Sequence, residues 1–523
     1  MTIVPAPGHS LTPRSFFPVH KRVPPGHFGL AYLPKRELID WAIDLVDGAH
    51  DLVMVLQNLL DTTEVGFSSQ AQLRTILIGI ALLPGLNLNM TLTNVHRVLR
   101  ELPDPFLSNL GIVSHGHTLT YRQITGQIER LMSLIRSQAA AQGLDIGDVF
   151  GFIASSIIQS SIRDVELGSW FAVDTTENET PSRVEVDDSF PVGDPRRFSS
   201  KDPEALAVHL AAKNGKKSST GSGFELAVIV ATGELGGPEV PGVISAARLS
   251  LPNSERDTAV LWMIDFLRDC GHEVDHIAMD KGYSQLGSRM LDPLAHRCVT
   301  VTFDMKWQQR FHRPDLQGAM WLDGDLACPG IPSGLIRLPS FKPAMPDEEA
   351  WELAKRYDER EPYMFGLRQA ATKPDGSDRK ECPARRGSCR CPLVPASMRL
   401  SPADFVTVTP PDDFESRPCC SQATISVPRI MPKVKSRTKM VSPQPRQLFR
   451  YGCSTWLSAW RLRPKVEAAF AGLRVHFGAL RRGVYRNPGR AMPSVYLGFM
   501  IAWANKRIID AYEYRYELGG PTR

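Results

Sequence analysis

The sequence predicts an α/β protein, in which one mixed β-sheet with flanking helices is interrupted by an insertion and preceded by an all-α region. Three observations support this class. Apolar residues recur at helical spacing from Pro34 to about Ala141. Short β-branched segments alternate with helical segments from about residue 166 to residue 305. Regular periodicity then fails until about Phe449, after which helical spacing returns.

The N-terminal part of the chain has two regions. Residues 1–30 combine proline, glycine and histidine without a period, which predicts a flexible arm. Residues 31–165 predict a helical domain, because an apolar stripe begins at Leu38, Trp41 and Leu45. Further helices are predicted over residues 72–83, 94–102 and 121–137.

The α/β pattern occupies residues 166–305, and residues 451–523 predict helices that return to the same layer. The order is three strands, a helix, a strand, a helix and a strand, which predicts one mixed sheet. The predicted strands are 168–174, 224–232, 242–249, 276–280 and 298–303.

Residues 306–450 predict an inserted, loop-rich subdomain that ends in a basic linker, because prolines are dense and apolar periodicity is weak. Five cysteines fall here: Cys382, Cys389, Cys391, Cys419 and Cys420. They are enough ligands for a tetrahedral structural zinc ion. Their spacing is not that of a standard zinc ribbon, so unpaired reduced thiols are the alternative.

Charge is unevenly distributed along the chain, whose formal net charge is only +5 over 523 residues. Residues 425–523 hold 19 Lys and Arg against 4 Asp and Glu, so the rest of the chain is net acidic. A dense basic region with interspersed aromatic residues indicates phosphate binding. A solvated charged surface would have the same composition.

Several classes of protein are disfavoured. No run of eighteen apolar residues is unbroken, and residues 1–25 lack the apolar stretch of a secretory signal, so we expect a soluble chain. Nine cysteines, an odd number with uneven spacing, favour a reducing compartment over a disulfide framework. The run His272–His276 reads H-E-x-x-H, but a strand begins within it, whereas a zinc protease needs one helix.

Two aspartates close apolar strand segments. Asp174 ends the run Trp-Phe-Ala-Val-Asp, and Asp280 ends His-Ile-Ala-Met-Asp. Ligands collect at the carboxyl ends of strands in α/β sheets, and two carboxylates there repel each other unless a cation joins them. Oxygen ligands favour Mg²⁺ or Mn²⁺. Each aspartate taken alone is also typical of a turn.

A third acid lies on a late helix. Arg463 precedes Glu467 by four residues and Arg474 follows it by seven, so all three share one helix face. A separate apolar stripe that would face the sheet consists of Val466, Phe470, Leu473 and Phe477. A carboxylate flanked by arginines can bind a metal while the arginines bind phosphate oxygens. A surface helix with salt bridges is the alternative.

These motifs resemble the DDE transposases of bacterial insertion sequences, whose catalytic core is an RNase H-like fold. Those enzymes carry one Asp on the first strand, another after the fourth strand, and a Glu on a later helix, often beyond an insertion. The run Asp280–Tyr283, Asp-Lys-Gly-Tyr, looks like their second-acid motif. Their helix signature, Tyr-x2-Arg-x3-Glu-x6-Lys, is matched with two substitutions by Trp460, Arg463, Glu467 and Arg474. The resemblance covers roughly residues 120–515, and Pro464 within the signature must lie in a helix's first turn or kink it.

The resemblance implies a catalytic role for Asp174, Asp280 and Glu467, which would bind two divalent ions, Mg²⁺ or Mn²⁺, for in-line phosphoryl transfer on DNA. The residues expected to contact DNA are Trp460, Arg463, Arg474, Arg481 and Arg482. Residues 166–305 and 451–523 would form the RNase H-like core, and residues 31–165 would bind the terminal inverted repeats.

The expected function is a transposase that cleaves and joins double-stranded DNA at the element ends and the target. It would act as a homodimer or higher oligomer in the bacterial cytoplasm, at the nucleoid, without a membrane partner. Two alternatives stay open. One is a catalytically inactive DNA-binding relic, which the substituted helix signature favours. The other is a metal-dependent DNA nuclease that cuts without joining.

Overall fold

The computed structural model describes the chain from residue 34 to residue 517 with gaps. The gaps are residues 62–72, 111–112, 115–116, 181, 183, 190, 192–197, 203, 211–218, 253, 307–309, 311–312, 343–344, 370–376, 429–433, 436–439, 442–446, 478–483, 485–486 and 488. The predicted arm of residues 1–30 therefore lies outside the described residues.

Helices dominate the first part of the described chain, where each predicted helix is present. They are α1 (Arg36–Gly48), α2 (His50–Asp61), α3 (Leu73–Gly85), α4 (Leu92–Arg100), α5 (Asp104–Asn109), α6 (Tyr121–Ala141) and α7 (Ile146–Ser160), with a short hairpin of β1 (Val113–Ser114) and β2 (His117–Thr118) between α5 and α6. Helix α6 begins with a capping box, because Thr120 accepts from the backbone N–H of Gln123 and the Gln123 side chain accepts from that of Thr120.

A mixed six-stranded sheet follows. The strands in this part of the chain are β3 (Trp170–Glu179), β4 (Val184–Val186), β5 (Phe198–Ser200), β6 (Leu206–Leu210), β7 (Ser219–Ala231), β8 (Ile244–Ser250), β9 (His276–Met279) and β10 (Thr300–Phe303), with helices α8 (Arg256–Asp269) and α9 (Ser288–His296). The order is β10-β9-β3-β7, with β8 and β6 both on the far edge of β7. Strands β3, β7 and β8 pair antiparallel, whereas β9 and β10 run parallel to β3. The short pair β4–β5 lies outside this sheet.

The insertion is more regular than its proline density predicts. It contains two three-stranded antiparallel sheets, β11 (Arg313–Leu316), β12 (Ala319–Leu322) and β13 (Asp325–Ala327), and then β14 (Gly366–Gln369), β15 (Ser377–Glu381) and β16 (Thr424–Pro428). Its helices are α10 (Ser333–Ile336), α11 (Asp347–Asp358), α12 (Pro383–Arg386) and α13 (Pro418–Ser421). Most of these elements share a separate hydrophobic cluster, and the short pair β17 (Val434–Lys435) and β18 (Met440–Val441) lies in the basic linker.

The last part of the chain that the structure describes contains the α-helices α14 (Ser454–Trp460), α15 (Pro464–Gly472) and α16 (Ala491–Glu517), with a π-helical turn at Leu473–Phe477 after α15. Pro464 is the first residue of α15, as its fixed φ and missing N–H favour. The apolar stripe of α15 lies against the sheet, since Val466, Phe470 and Leu473 are buried in the same cluster as residues of β3 and β7. The side chain of Phe477 lies outside the described residues.

The sheet is covered on both faces. One face shares a hydrophobic cluster with α1–α4, α6, α7, α15 and α16, and the other with α8, α9, α11 and α14. The N-terminal helices therefore pack into the same core as the sheet. Ser155 of α7, for example, donates to the carbonyl of Ala247 and accepts from its N–H, both at 3.0 Å. Within the described residues, no helix has both the length and the apolar composition that crossing a membrane requires.

One side chain of α16 completes the outer edge of β8. Asn505 is fully buried; its Oδ1 accepts from the N–H of Ile244 at 2.9 Å and its Nδ2 donates to the same residue's carbonyl at 2.8 Å. The amide therefore replaces a neighbouring strand at this position.

We expect Asn505→Ala to lower the free energy of unfolding by about 2–4 kcal/mol, because it leaves two buried backbone groups without partners. Chemical denaturation measures this value. The control is Lys506→Ala, which removes only the ion pair of Lys506 with Asp510, and should change stability by less than about 1 kcal/mol. A loss below about 1 kcal/mol for Asn505→Ala would show that water replaces the amide.

Candidate active site

The register of β3 and β9 places the two predicted aspartates side by side. The parallel pairing ends at Val173 opposite Met279, and the next residue on each strand is Asp174 and Asp280. Strand β9 stops there, so Asp280 begins the following turn. Strand β3 continues to Glu179 along β7, so Asp174 lies within the strand and not at its end as predicted. Strand β3 continues past Asp174 because it still pairs with β7 after its pairing with β9 has ended.

Glu467 joins this pair through an arginine. Arg463, at the N-terminal end of α15, donates to Asp174 Oδ2 at 3.2 Å and to Glu467 Oε1 at 2.7 Å. The Arg463 side chain is only 15% exposed and the Asp174 side chain 17%, whereas Glu467 is 55% exposed. The three acids therefore share one site that opens to solvent on the side of Glu467.

Burial changes the acidity of Asp174. Desolvation raises its pKa from 3.8 to about 6, while Arg463 and the N–H of Thr175 act in the opposite direction. The negative charges of Asp280 and Glu467 both raise the pKa of Asp174 further, so Asp174 lies within electrostatic reach of each of them. They also raise the pKa of the Arg463 guanidinium, which burial alone would lower.

Two neighbours of Asp174 were not predicted, Tyr283 and Arg256, nor was Glu225, the ion-pair partner of Arg256. Tyr283, the last residue of the Asp-Lys-Gly-Tyr run, is buried, and the charge of Asp174 adds to the burial that raises its pKa. Arg256, the first residue of α8, pairs with Glu225 of β7, and the negative charge of Asp174 contributes to raising the pKa of its guanidinium. The run Asp280–Tyr283 carries a sequence signal for Tyr283, whereas Arg256 and Glu225 are assembled only by the fold.

The donor set suits a hard divalent cation. Three carboxylates supply oxygen ligands, and the Arg463 guanidinium already stands where positive charge is favoured between them. Among the described residues, no three acidic, His or Cys side chains converge at coordination distance. Metal binding would therefore require Arg463 to release Asp174 and Glu467.

The residues predicted to contact DNA have different surroundings. Trp460 stacks on Trp456 with ring centroids 5.5 Å apart and an interplanar angle of 9°, at the edge of a hydrophobic cluster. Arg463 is bound to the two carboxylates, and Arg474 donates to the hydroxyl of Thr176 on β3. Arg481 and Arg482 lie outside the described residues.

The five cysteines predicted as a candidate zinc site line one cavity in the insertion, together with a sixth, Cys328. The H-E-x-x-H run is not helical: its first four residues are irregular, and His276 begins β9 and bonds to Thr300 at 2.8 Å.

Comparison with known protein families finds no family model that matches the chain, and comparison with curated proteins finds no significant match. The described elements define the class of the protein, a mixed α/β protein with a six-stranded sheet and flanking helices.

Proposed function

We propose that the protein is a DDE transposase that cleaves and joins DNA with divalent metal ions bound by Asp174, Asp280 and Glu467. The observation that carries the proposal is the adjacent register of Asp174 and Asp280, with Glu467 linked to Asp174 through Arg463. This proximity of residues far apart in sequence supports the acidic triad that the transposase resemblance implies.

The architecture supports the same proposal. The first acid lies on the first strand of the central sheet and the second directly follows the strand paired with it in parallel. The third lies on a helix beyond an insertion with its own hydrophobic cluster. An antiparallel set of strands that continues into two parallel strands supports an RNase H-like core, to which β6 is an addition on the far edge of β7.

Each residue then has a defined task. Asp174, Asp280 and Glu467 would hold the ions, which supply Lewis-acid activation of the attacking oxygen and neutralise charge on the phosphate. Arg463, Arg474, Arg481 and Arg482 would bind the DNA backbone, beside Trp460. The buried position of Asp174 keeps water away from one side of the site and strengthens every charge interaction there.

Without metal, Arg463 would act as a counter-ion to the carboxylates. When metal displaces it, its guanidinium would bind a DNA phosphate. Arg463→Gln should therefore raise the affinity of the DNA-free protein for Mn²⁺ by at least about tenfold, because a positive charge beside the carboxylates is removed. DNA cleavage should fall at the same time, since a phosphate contact is lost. Calorimetric Mn²⁺ titration and a cleavage assay measure the two effects.

The matched control for Arg463 is Arg461→Gln, which breaks a pair with exposed Asp347 outside the site. It should leave Mn²⁺ affinity unchanged. Weaker Mn²⁺ binding in Arg463→Gln would contradict the counter-ion role and would indicate that the arginine positions the carboxylates.

A strand-transfer assay tests the function. The substrate is a plasmid carrying the DNA that flanks the coding sequence on both sides, with Mg²⁺ and a second plasmid as target. We expect end cleavage and joined products from the wild type, and a loss of roughly 10³-fold in both for Asp280→Asn. Asp292→Asn, an exposed acid on α9, is the control. Cleavage without joined products would indicate a nuclease, and DNA binding without cleavage would indicate an inactive relic.

A further inference from the structure

Six of the nine cysteines surround one small cavity in the insertion, about 20 Å³ in volume. The other lining residues that the structure describes are apolar, so among them sulfur is the only side-chain ligand type. The six are Cys328, Cys382, Cys389, Cys391, Cys419 and Cys420. They come from three separate parts of the chain, and the fold of the insertion brings them together.

Three of these cysteines share one local structure. Cys328, Cys382 and Cys391 are each followed by proline. In each case a tight turn follows, in which the cysteine carbonyl accepts a backbone N–H three or four residues later, at 2.9–3.1 Å. The donors are Ile331, Arg386 and Val394, respectively.

The same three cysteines line the cavity with little exposure to solvent: Cys382 and Cys391 are buried, and Cys328 is half-buried. The turn that starts at each cysteine fixes its backbone, so its side chain is held at the cavity by local structure.

Three further cysteines line the cavity outside these turns: Cys389, Cys419 and Cys420. Cys419 and Cys420 hold their sulfurs 3.8 Å apart at the cavity. All nine cysteines are free thiols. The three outside the cavity differ: Cys270 and Cys298 are exposed, and Cys453 accepts the N–H of Trp456 at the start of α14.

We propose that the insertion binds one structural zinc ion through Cys328, Cys382 and Cys391, with a fourth sulfur from Cys389, Cys419 or Cys420. Thiolate ligands in apolar surroundings select zinc over the hard cations that suit the carboxylates. The sulfurs of the described residues do not yet converge as a ligand group, so zinc draws the turns inward and ties the two sheets of the insertion together. The site is independent of the carboxylate site.

Zinc content tests this proposal directly. Protein purified without chelator should contain about one zinc per chain, with four sulfur ligands at about 2.3 Å by X-ray absorption. Cys382→Ser and Cys391→Ser should each lower the zinc content at least tenfold. Cys270→Ser, at an exposed position outside the cavity, should retain it.

A second measurement needs no variant, so it covers the case in which a substitution prevents folding. Wild-type protein stripped of zinc should bind one Co²⁺ and show sulfur-to-cobalt charge-transfer absorption. The proposal would be overturned if protein purified without chelator contained no zinc and bound no Co²⁺, and if its six cavity thiols all reacted at once with a thiol reagent. Full zinc retention in both serine variants would overturn the ligand assignment. Neither result would affect the test of Asp280.

Discussion

Asp174→Asn is expected to abolish metal-dependent DNA cleavage while leaving the metal-free protein as stable as the wild type at pH 7.5, or more stable. Burial raises the pKa of Asp174 to about 6, so the ionised carboxylate at pH 7.5 is less stable in the folded chain than in the unfolded chain. The shift from 3.8 sets an upper limit of about 3 kcal/mol on the gain, and the lost contact with Arg463 reduces it.

The pH dependence has a defined sign. A raised pKa means that the folded state binds the proton more tightly, so this carboxyl favours folding below about pH 4 and loses that contribution as pH rises to about 6. The stability of the wild type relative to Asp174→Asn should therefore fall between pH 4 and pH 6 and then level off. Thermal denaturation across this range measures it.

The control for Asp174 is Glu177→Gln, which replaces a carboxylate on the same strand that is not part of the site. It should retain cleavage. Mg²⁺ should raise the melting temperature of the wild type and of Glu177→Gln but not of Asp174→Asn, because only the last lacks a proposed ligand. A strongly destabilised Asp174→Asn protein would indicate that the aspartate serves mainly as the structural partner of Arg463.

Asp323→Ala should destabilise the insertion by about 3–5 kcal/mol, the cost of leaving buried charges without their partner. Asp323 has a 5% exposed side chain and binds two arginines, Arg360 at 2.7 Å and Arg310 at 3.0 Å. Both arginines are themselves 10% exposed or less. The backbone of Asp323 has a φ of +44°, a conformation that alanine rarely adopts, so backbone strain adds to the loss of stability.

Denaturation followed by tryptophan fluorescence suits this measurement, because Trp321 lies fully buried two residues away. Asp323→Asn separates charge from backbone conformation, since Asn tolerates positive φ. Asp347→Ala is the exposed counterpart: it breaks a 2.8 Å pair in which Asp347 is 88% exposed, and should cost less than about 1 kcal/mol. If Asp323→Ala and Asp347→Ala lowered the free energy of unfolding equally, burial would not determine the cost of losing these ion pairs.

Local patterns were enough to predict the acids of the site. Asp174 and Asp280 each follow a run of apolar residues that predicts a strand, and Glu467 lies four residues from Arg463 on one helix. The chemistry of proline allowed either a helix start or a kink at Pro464, and the structure has the helix start. These features depend on neighbours in sequence.

Features that depend on distant partners were missed. Strand β3 continues past Asp174 through Thr175, Thr176, Glu177 and Asn178, whose polar character hides a strand that β7 stabilises. Strand β6 was missed because it is short and lies on the far edge of β7. The packing of the N-terminal helices on the sheet was also missed. The apolar stripe of a helix has the same sequence pattern whether the helix packs on other helices or on a sheet.

The sixth cysteine of the insertion was also missed, although a signal was present. Cys328 lies far from the other five in sequence, so a search by spacing excludes it. The shared Cys-Pro pairs at Cys328, Cys382 and Cys391 would have grouped it with two of them by local turn chemistry.

Anomalous diffraction from crystals soaked in Mn²⁺ tests the central claim most directly, because it locates the metal and the arginine together. We predict two anomalous peaks bound by Asp174, Asp280 and Glu467, with the Arg463 guanidinium withdrawn from Asp174 and Glu467. Crystals that bind Mn²⁺ elsewhere, or that leave Arg463 paired with both carboxylates at saturating Mn²⁺, would contradict the assignment of these three acids as a metal-dependent DNA-processing site.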